Sequence, residues 1–154
     1  MSDEPAPDAA AGPPAAPDAA PAFRVVLAES VTYDLGDAAP QMHLMEAEPP
    51  YRNLSVPIAL AEAVALHQAL AHVEGRRPGT HELTSQILAR LGADVVAARI
   101  VRCDDGVYYA ELDVMGPRGR EVIDCRTSDA VILALRQGVP APILCAEAIL
   151  AGVG

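Results

Sequence analysis

The chain has 154 residues, 21 acidic against 11 basic side chains and a net charge of −10, and 51% of it is hydrophobic. That length supports one domain of ordinary size, and the acidic balance argues against tight, sequence-independent nucleic-acid binding, which runs on basic surface. No apolar run reaches the length of a membrane span, so no membrane partner is expected.

Residues 1–22 hold no branched aliphatic or aromatic side chain and are almost entirely Ala, Pro, Asp and Gly. Such a segment cannot bury enough apolar surface to offset the entropy of ordering, so it reads as a disordered tail. It has neither the basic start nor the apolar run of a secretory signal. Residues 23–154 then form the folded domain. Phe23 to Tyr33 has the β-branched character of a strand, Asp34 to Pro40 turns, and Gln41 to Glu48 returns as a second strand. Pro49-Pro50 interrupts it, and Asn53 to Ile58 reads as a short third strand.

Ala59 to Glu74 follows as a helix with Val64, Leu66, Leu70 and Val73 inward and Gly75 as its stop. Thr80 caps a second helix running to about Leu91, with Leu83, Ile87, Leu88 and Leu91 on its buried face and Gly92 after it. Asp94 to Asp104 and Val107 to Met115 flank Asp105-Gly106, a step suited to the positive φ angles of a type I′ turn, so they form a hairpin. Arg120 to Arg126 is a further strand. A helix capped by Thr127 or Ser128 runs from there to Gly138, Pro142 to Cys145 is a short strand, and Ala146 to Ala151 is a terminal helical turn. Strands arriving largely as hairpins predict an α+β single domain: a mixed, largely antiparallel β-sheet with helices packed against it. Cys103, Cys125 and Cys145 are odd in number and lack zinc spacing, which suits reduced core residues in a cytoplasmic protein.

Two phrases share one grammar: Arg77-Pro78-Gly79-Thr80-His81-Glu82-Leu83, and Arg126 to Arg136 with Ser128-Asp129 near its start. Each joins an arginine, a helix start and an acid in the first turn, where the helix dipole favours negative charge. Helix capping and surface ion pairing explain such residues equally well. These phrases, with Val107-Tyr108-Tyr109-Ala110-Glu111-Leu112 and Pro57-Ile58…Glu62-Ala63, resemble the bifunctional nuclease family over roughly Phe23 to Gly152.

That resemblance implies a nuclease that hydrolyses phosphodiester bonds in DNA and RNA, with metal assistance. It points to His81, Glu82 and Asp129 as catalytic groups, and to Arg77, Arg126 and Ser128 as phosphate contacts. Asp129, Glu82 and Glu62 become candidate ligands for a divalent metal such as Mg. It also implies a homodimer or higher homo-oligomer. The competing expectation is a non-catalytic oligomeric binding or regulatory module with the same fold, favoured by the acidic charge and the lack of a metal motif.

Overall fold

The computed structural model describes residues 21–33, 36 and 39–153; the expected tail therefore lies almost wholly outside the described residues. The elements are β1 (Phe23–Thr32), β2 (Gln41–Glu46), β3 (Asn53–Pro57), α1 (Leu60–Leu70), α2 (Thr80–Arg90), β4 (Asp94–Asp104), β5 (Val107–Gly116), β6 (Gly119–Arg126), α3 (Thr127–Leu135), β7 (Ile143–Ala146) and α4 (Glu147–Ala151). Seven strands form one sheet in the order β3-β2-β1-β7-β4-β5-β6. Only β4 and β7 run parallel, with Ala98 opposite Ile143 and Ile100 opposite Cys145; the other neighbours are antiparallel. The architecture is α+β, as the hairpin-rich pattern predicts.

The core lies between one sheet face and the helices. Val26, Met42, Leu44, Leu54, Ile100, Ala110 and Leu112 meet Ala63 and Leu66 of α1 and Val131 and Ile132 of α3. α3 is the central helix, against which α1, α2 and strands β4 to β6 all pack. Its run Ala130 to Ala134 is buried throughout, as an almost wholly apolar helix requires.

The local chemistry of turns is largely as expected. Asp105 and Gly106 have φ of 51° and 77°, the hairpin turn the pair favours. Gly92, at φ 70°, ends α2: the Gly92 and Ala93 amides donate to Ala89 and Leu88 carbonyls, a Schellman closure. α1 closes the same way three residues earlier than the glycine signal suggests. His72 takes φ 53°, and the His72 and Val73 amides donate to Ala69 and Gln68. Val73 is consequently beyond the helix and exposed, and Val64 is exposed as well; Leu66 is buried and Leu70 half-buried as expected, with Ala63 and Ala69 completing the buried side.

α2 departs further from its reading. None of its residues is fully buried, and Leu83, Ile87 and Leu91 are 51%, 50% and 67% exposed. α2 is an outer helix resting on α3, so only Leu88 packs against the core. On the uncovered sheet face Asp113 is buried, held by Arg120 at 2.6 Å and Arg99 at 3.5 Å.

Candidate functional site

The site is assembled from three separate segments. α1 presents Glu62 from its first turn, α2 presents His81, and the β6–α3 junction presents Arg126 and Asp129. Arg126 is the N-cap of α3, with extended backbone at φ −68° and ψ 147°. Its guanidinium turns back over the helix start. Arg126 Nε and Nη2 donate to the two Asp129 oxygens at 2.7 and 3.1 Å, and Nη1 donates to Glu62 Oε1 at 2.7 Å. His81 Nε2 meets Asp129 Oδ1 at 2.8 Å.

A carboxylate only accepts hydrogen bonds, so in the neutral ring Nε2 carries the proton. Nδ1 makes no bond to the described residues and is left as a proton acceptor. Burial raises the pKa of Asp129, but the hydrogen bonds from Arg126 and His81 outweigh it and hold the carboxyl below its ordinary value. Asp129 therefore remains an anion that fixes the ring. Of the five guanidinium N–H groups, three are engaged by these carboxylates, and the side chain is 63% exposed. Two outward donors remain for an incoming anion.

Two hollows flank the Arg126–Glu62 pair, which lines both. One, about 290 Å³, is bordered by His81, Asp129, Gly79, Thr80 and Gln68. The other, about 360 Å³, is bordered by Val56 to Ala59, Gly106 to Tyr108, Thr127 and Ser128.

Glu82 is directed elsewhere. Its carboxylate accepts the Gly79 amide at 3.0 Å and the Gly75 amide at 3.4 Å, and lies 3.2 Å from Arg136 Nη1. The Gly79 bond, with the Gly75 bond and Arg136 behind it, keeps Glu82 below its ordinary pKa despite its desolvation. The N-cap is thus Gly79, not Thr80, and Glu82 supplies the side-chain half of a capping box. Arg77 is exposed in the loop before α2, and its side chain makes no bond to the described residues.

Thr127 and Ser128 open α3 as helical residues and neither caps it. Both are buried. The Thr127 hydroxyl is sealed from solvent without a hydrogen-bond partner, a feature the sequence alone did not single out. Arg136 is a second one: it closes the phrase that Arg126 opens, and its partner proves to be Glu82.

The carboxylates do not form a ready metal centre. Among the described residues no group of three His, Cys, Asp or Glu side chains is arranged to hold an ion. Glu82 is occupied at its helix cap, and Glu62 and Asp129 are organised around a guanidinium.

A model of the bifunctional nuclease domain matches residues 43–154. Two relatives from Mycobacterium tuberculosis, uncharacterized protein MT1877 of strain CDC 1551 / Oshkosh and uncharacterized protein Rv1829 of strain ATCC 25618 / H37Rv, are each 40% identical over 103 residues. Those matches cover 67% of this chain and 60% of each relative, so the chain spans well under the full length of either.

Proposed function

Because this chain belongs to the bifunctional nuclease domain family, we propose that it hydrolyses phosphodiester bonds in DNA and RNA at the Glu62–His81–Arg126–Asp129 cluster. One observation carries the reading: side chains from three distant segments converge in bonds of 2.7 to 2.8 Å, yet leave a ring nitrogen and two guanidinium donors unspent beside two hollows. A cluster built only to hold elements together has no need of those free groups.

In this reading Asp129 orients His81, whose Nδ1 takes a proton from water as the water oxygen attacks phosphorus. The bond to the leaving sugar oxygen breaks with its electron pair, and that oxygen takes up a proton from solvent. Arg126 supplies the positive charge that stabilises the five-coordinate phosphorus, by hydrogen bonds that a guanidinium forms well with phosphate oxygens. Glu62 holds Arg126 in place. Glu62 and Asp129 are the carboxylates that would hold a divalent ion such as Mg, which would add Lewis-acid charge beside Arg126.

The acidic composition favours the other reading, a non-catalytic oligomeric module. One assay separates the two: cleavage of single-stranded DNA and RNA by highly purified protein, with Mg or with chelator, beside His81→Ala. The nuclease reading expects cleavage that drops about a hundredfold in the variant, and the chelator arm reads whether a metal takes part. Wild-type protein that cleaves nothing, or a variant that cleaves equally well, sinks it.

A further inference from the structure

We propose that the groove beside the cluster is a nucleotide subsite, with a phosphate at the start of α3 and the nucleoside along its apolar wall. The proposal rests on the nuclease reading for its biological sense, though its physical evidence is separate.

The groove, at about 360 Å³, is of the size that small-ligand sites have. It is chemically two-ended. Val56, Ile58, Val107 and Tyr108 line one part, and Arg126, Thr127 and Ser128 the other. A nucleotide has the same division: a flat base with apolar faces and a charged phosphate that only accepts hydrogen bonds.

The decisive detail is Thr127. It is 4% exposed, and its hydroxyl has no partner in the protein. A buried polar group left without a partner destabilises the fold, and most such groups are satisfied. Valine has nearly the same shape and would remove the problem, so the hydroxyl calls for an external acceptor. It sits in the first turn of a nine-residue helix with no side-chain cap, where the leading amides lack intrahelical partners and suit an anion. Thr127 itself lines the groove, and threonine in a helix has two accessible χ1 wells. The spare donors of Arg126 close the same end.

Ser85 Oγ and Arg136 Nε are also buried without partners, but they meet at a hollow lined by Glu74 and Glu82. Glu74 has no cationic partner among the described residues, which makes that place hostile to phosphate and suited to water. At the α3 start both nearby carboxylates, Glu62 and Asp129, are bonded to Arg126.

The test is calorimetric titration of the full chain with adenosine monophosphate, adenosine and inorganic phosphate, beside thermal melts. Wild type should bind the monophosphate more tightly than either half. Thr127→Val should weaken monophosphate and phosphate binding about tenfold, the factor one hydrogen bond supplies, while its Tm stays level or rises. Ala59→Trp, at an exposed groove position, should remove the advantage of the monophosphate over phosphate. The proposal is overturned if the monophosphate does not bind, if Thr127→Val binds it like wild type, or if that variant melts several degrees lower with binding unchanged. The binding readouts are independent of cleavage. Groove variants behaving as stated while His81→Ala still cleaves would keep the subsite and remove the hydrolytic assignment. Cleavage that needs His81 but ignores Thr127→Val and Ala59→Trp would do the reverse.

Discussion

Asp129→Asn isolates the chemistry of the cluster from its contribution to the fold. Asp129 accepts three hydrogen bonds, two from Arg126 and one from His81. An asparagine of the same shape has one accepting oxygen and an NH₂ that would face another donor. The stability cost follows from exposure. Arg126 is 63% exposed, so its pair with Asp129 is worth about 0.5 kcal/mol. The His81 and Asp129 side chains are 14% and 23% exposed, and their bond contributes about 1 kcal/mol. The expected loss of about 1.5 kcal/mol lowers the Tm by about 4–8 °C in a domain of this size. Even from the lower end of ordinary stability, about 5 kcal/mol, more than ~99% of the variant stays folded. Unfolding therefore cannot reduce cleavage by more than about one percent. Loss of the anion that orients His81 should reduce it by about 10²-fold or more. Cleavage rates are to be measured at 25 °C under single-turnover conditions, with circular dichroism melts of the same preparations. A variant that melts lower by the expected margin and cleaves within about threefold of wild type, well short of the factor a positioned acid–base group supplies, would show that the cluster is a staple.

Three further outcomes follow from other parts of the molecule. Hydrogen bonding by Arg52, and then by Arg24, holds Glu46 well down from 4.5 to about 2 against its burial, and Asp113, Asp129 and Glu147 are lowered too. Carboxyls depressed in the folded state stabilise it above their unfolded values and lose that contribution as pH falls through the folded ones, so urea midpoints should drop from about pH 4.5 toward 2; a flat profile across that window would contradict the ion pairing. Glu46→Gln should lower the midpoint at neutral pH and flatten this acid limb, which the same titration checks. The apolar stripe Leu83, Ile87 and Leu91 supports the expected self-association, so light scattering at micromolar concentration should give a dimer or larger species in wild type and a mass near 16.0 kDa in Ile87→Glu; a wild-type monomer would end that expectation.

What was legible in the sequence was local. The Asp105–Gly106 hairpin, the Gly92 stop and the strand–helix junction at Arg126 all depend on residues within a few positions of one another. Non-local facts were not legible. Nothing near Ile143 announces that β7 inserts between β1 and β4 and runs parallel to β4. His72 takes the left-handed closing position of α1, where sequence preference pointed to Gly75. The apolar spacing of α2 correctly marks a helix, yet periodicity cannot say that the stripe faces outward. The candidate site shows the same division. Both His81 and Glu82 stand in the first turn of α2, but successive helical residues point about 100° apart. Only one can face Asp129, and the choice is made by the Gly75 and Gly79 amides and by Arg136, which take Glu82. Glu62 and Arg126 are 64 residues apart, and the bond between them exists only in the folded chain.

A second ion network in the same molecule shows why the first is the better candidate for chemistry. Glu46 is wholly buried and accepts from Arg24 at 2.6 Å and from Arg52 at 2.9 and 3.0 Å; Arg52 continues to Glu147 at 2.7 and 3.0 Å. Arginines and carboxylates meet there at least as closely as at Arg126. Arg52, however, is 19% exposed and gives Nε, Nη1 and Nη2 to carboxylates, which makes it a clamp joining β2 to α4. No histidine enters that network, and Arg–carboxylate pairs do not exchange protons near neutral pH. At Glu62–His81–Arg126–Asp129 the guanidinium is open to solvent and an imidazole is oriented with one nitrogen unspent. Both features weaken the cluster as a staple, since an exposed pair contributes little to stability. They are the features a phosphodiester substrate requires: charge that can be reached, and a group that accepts a proton.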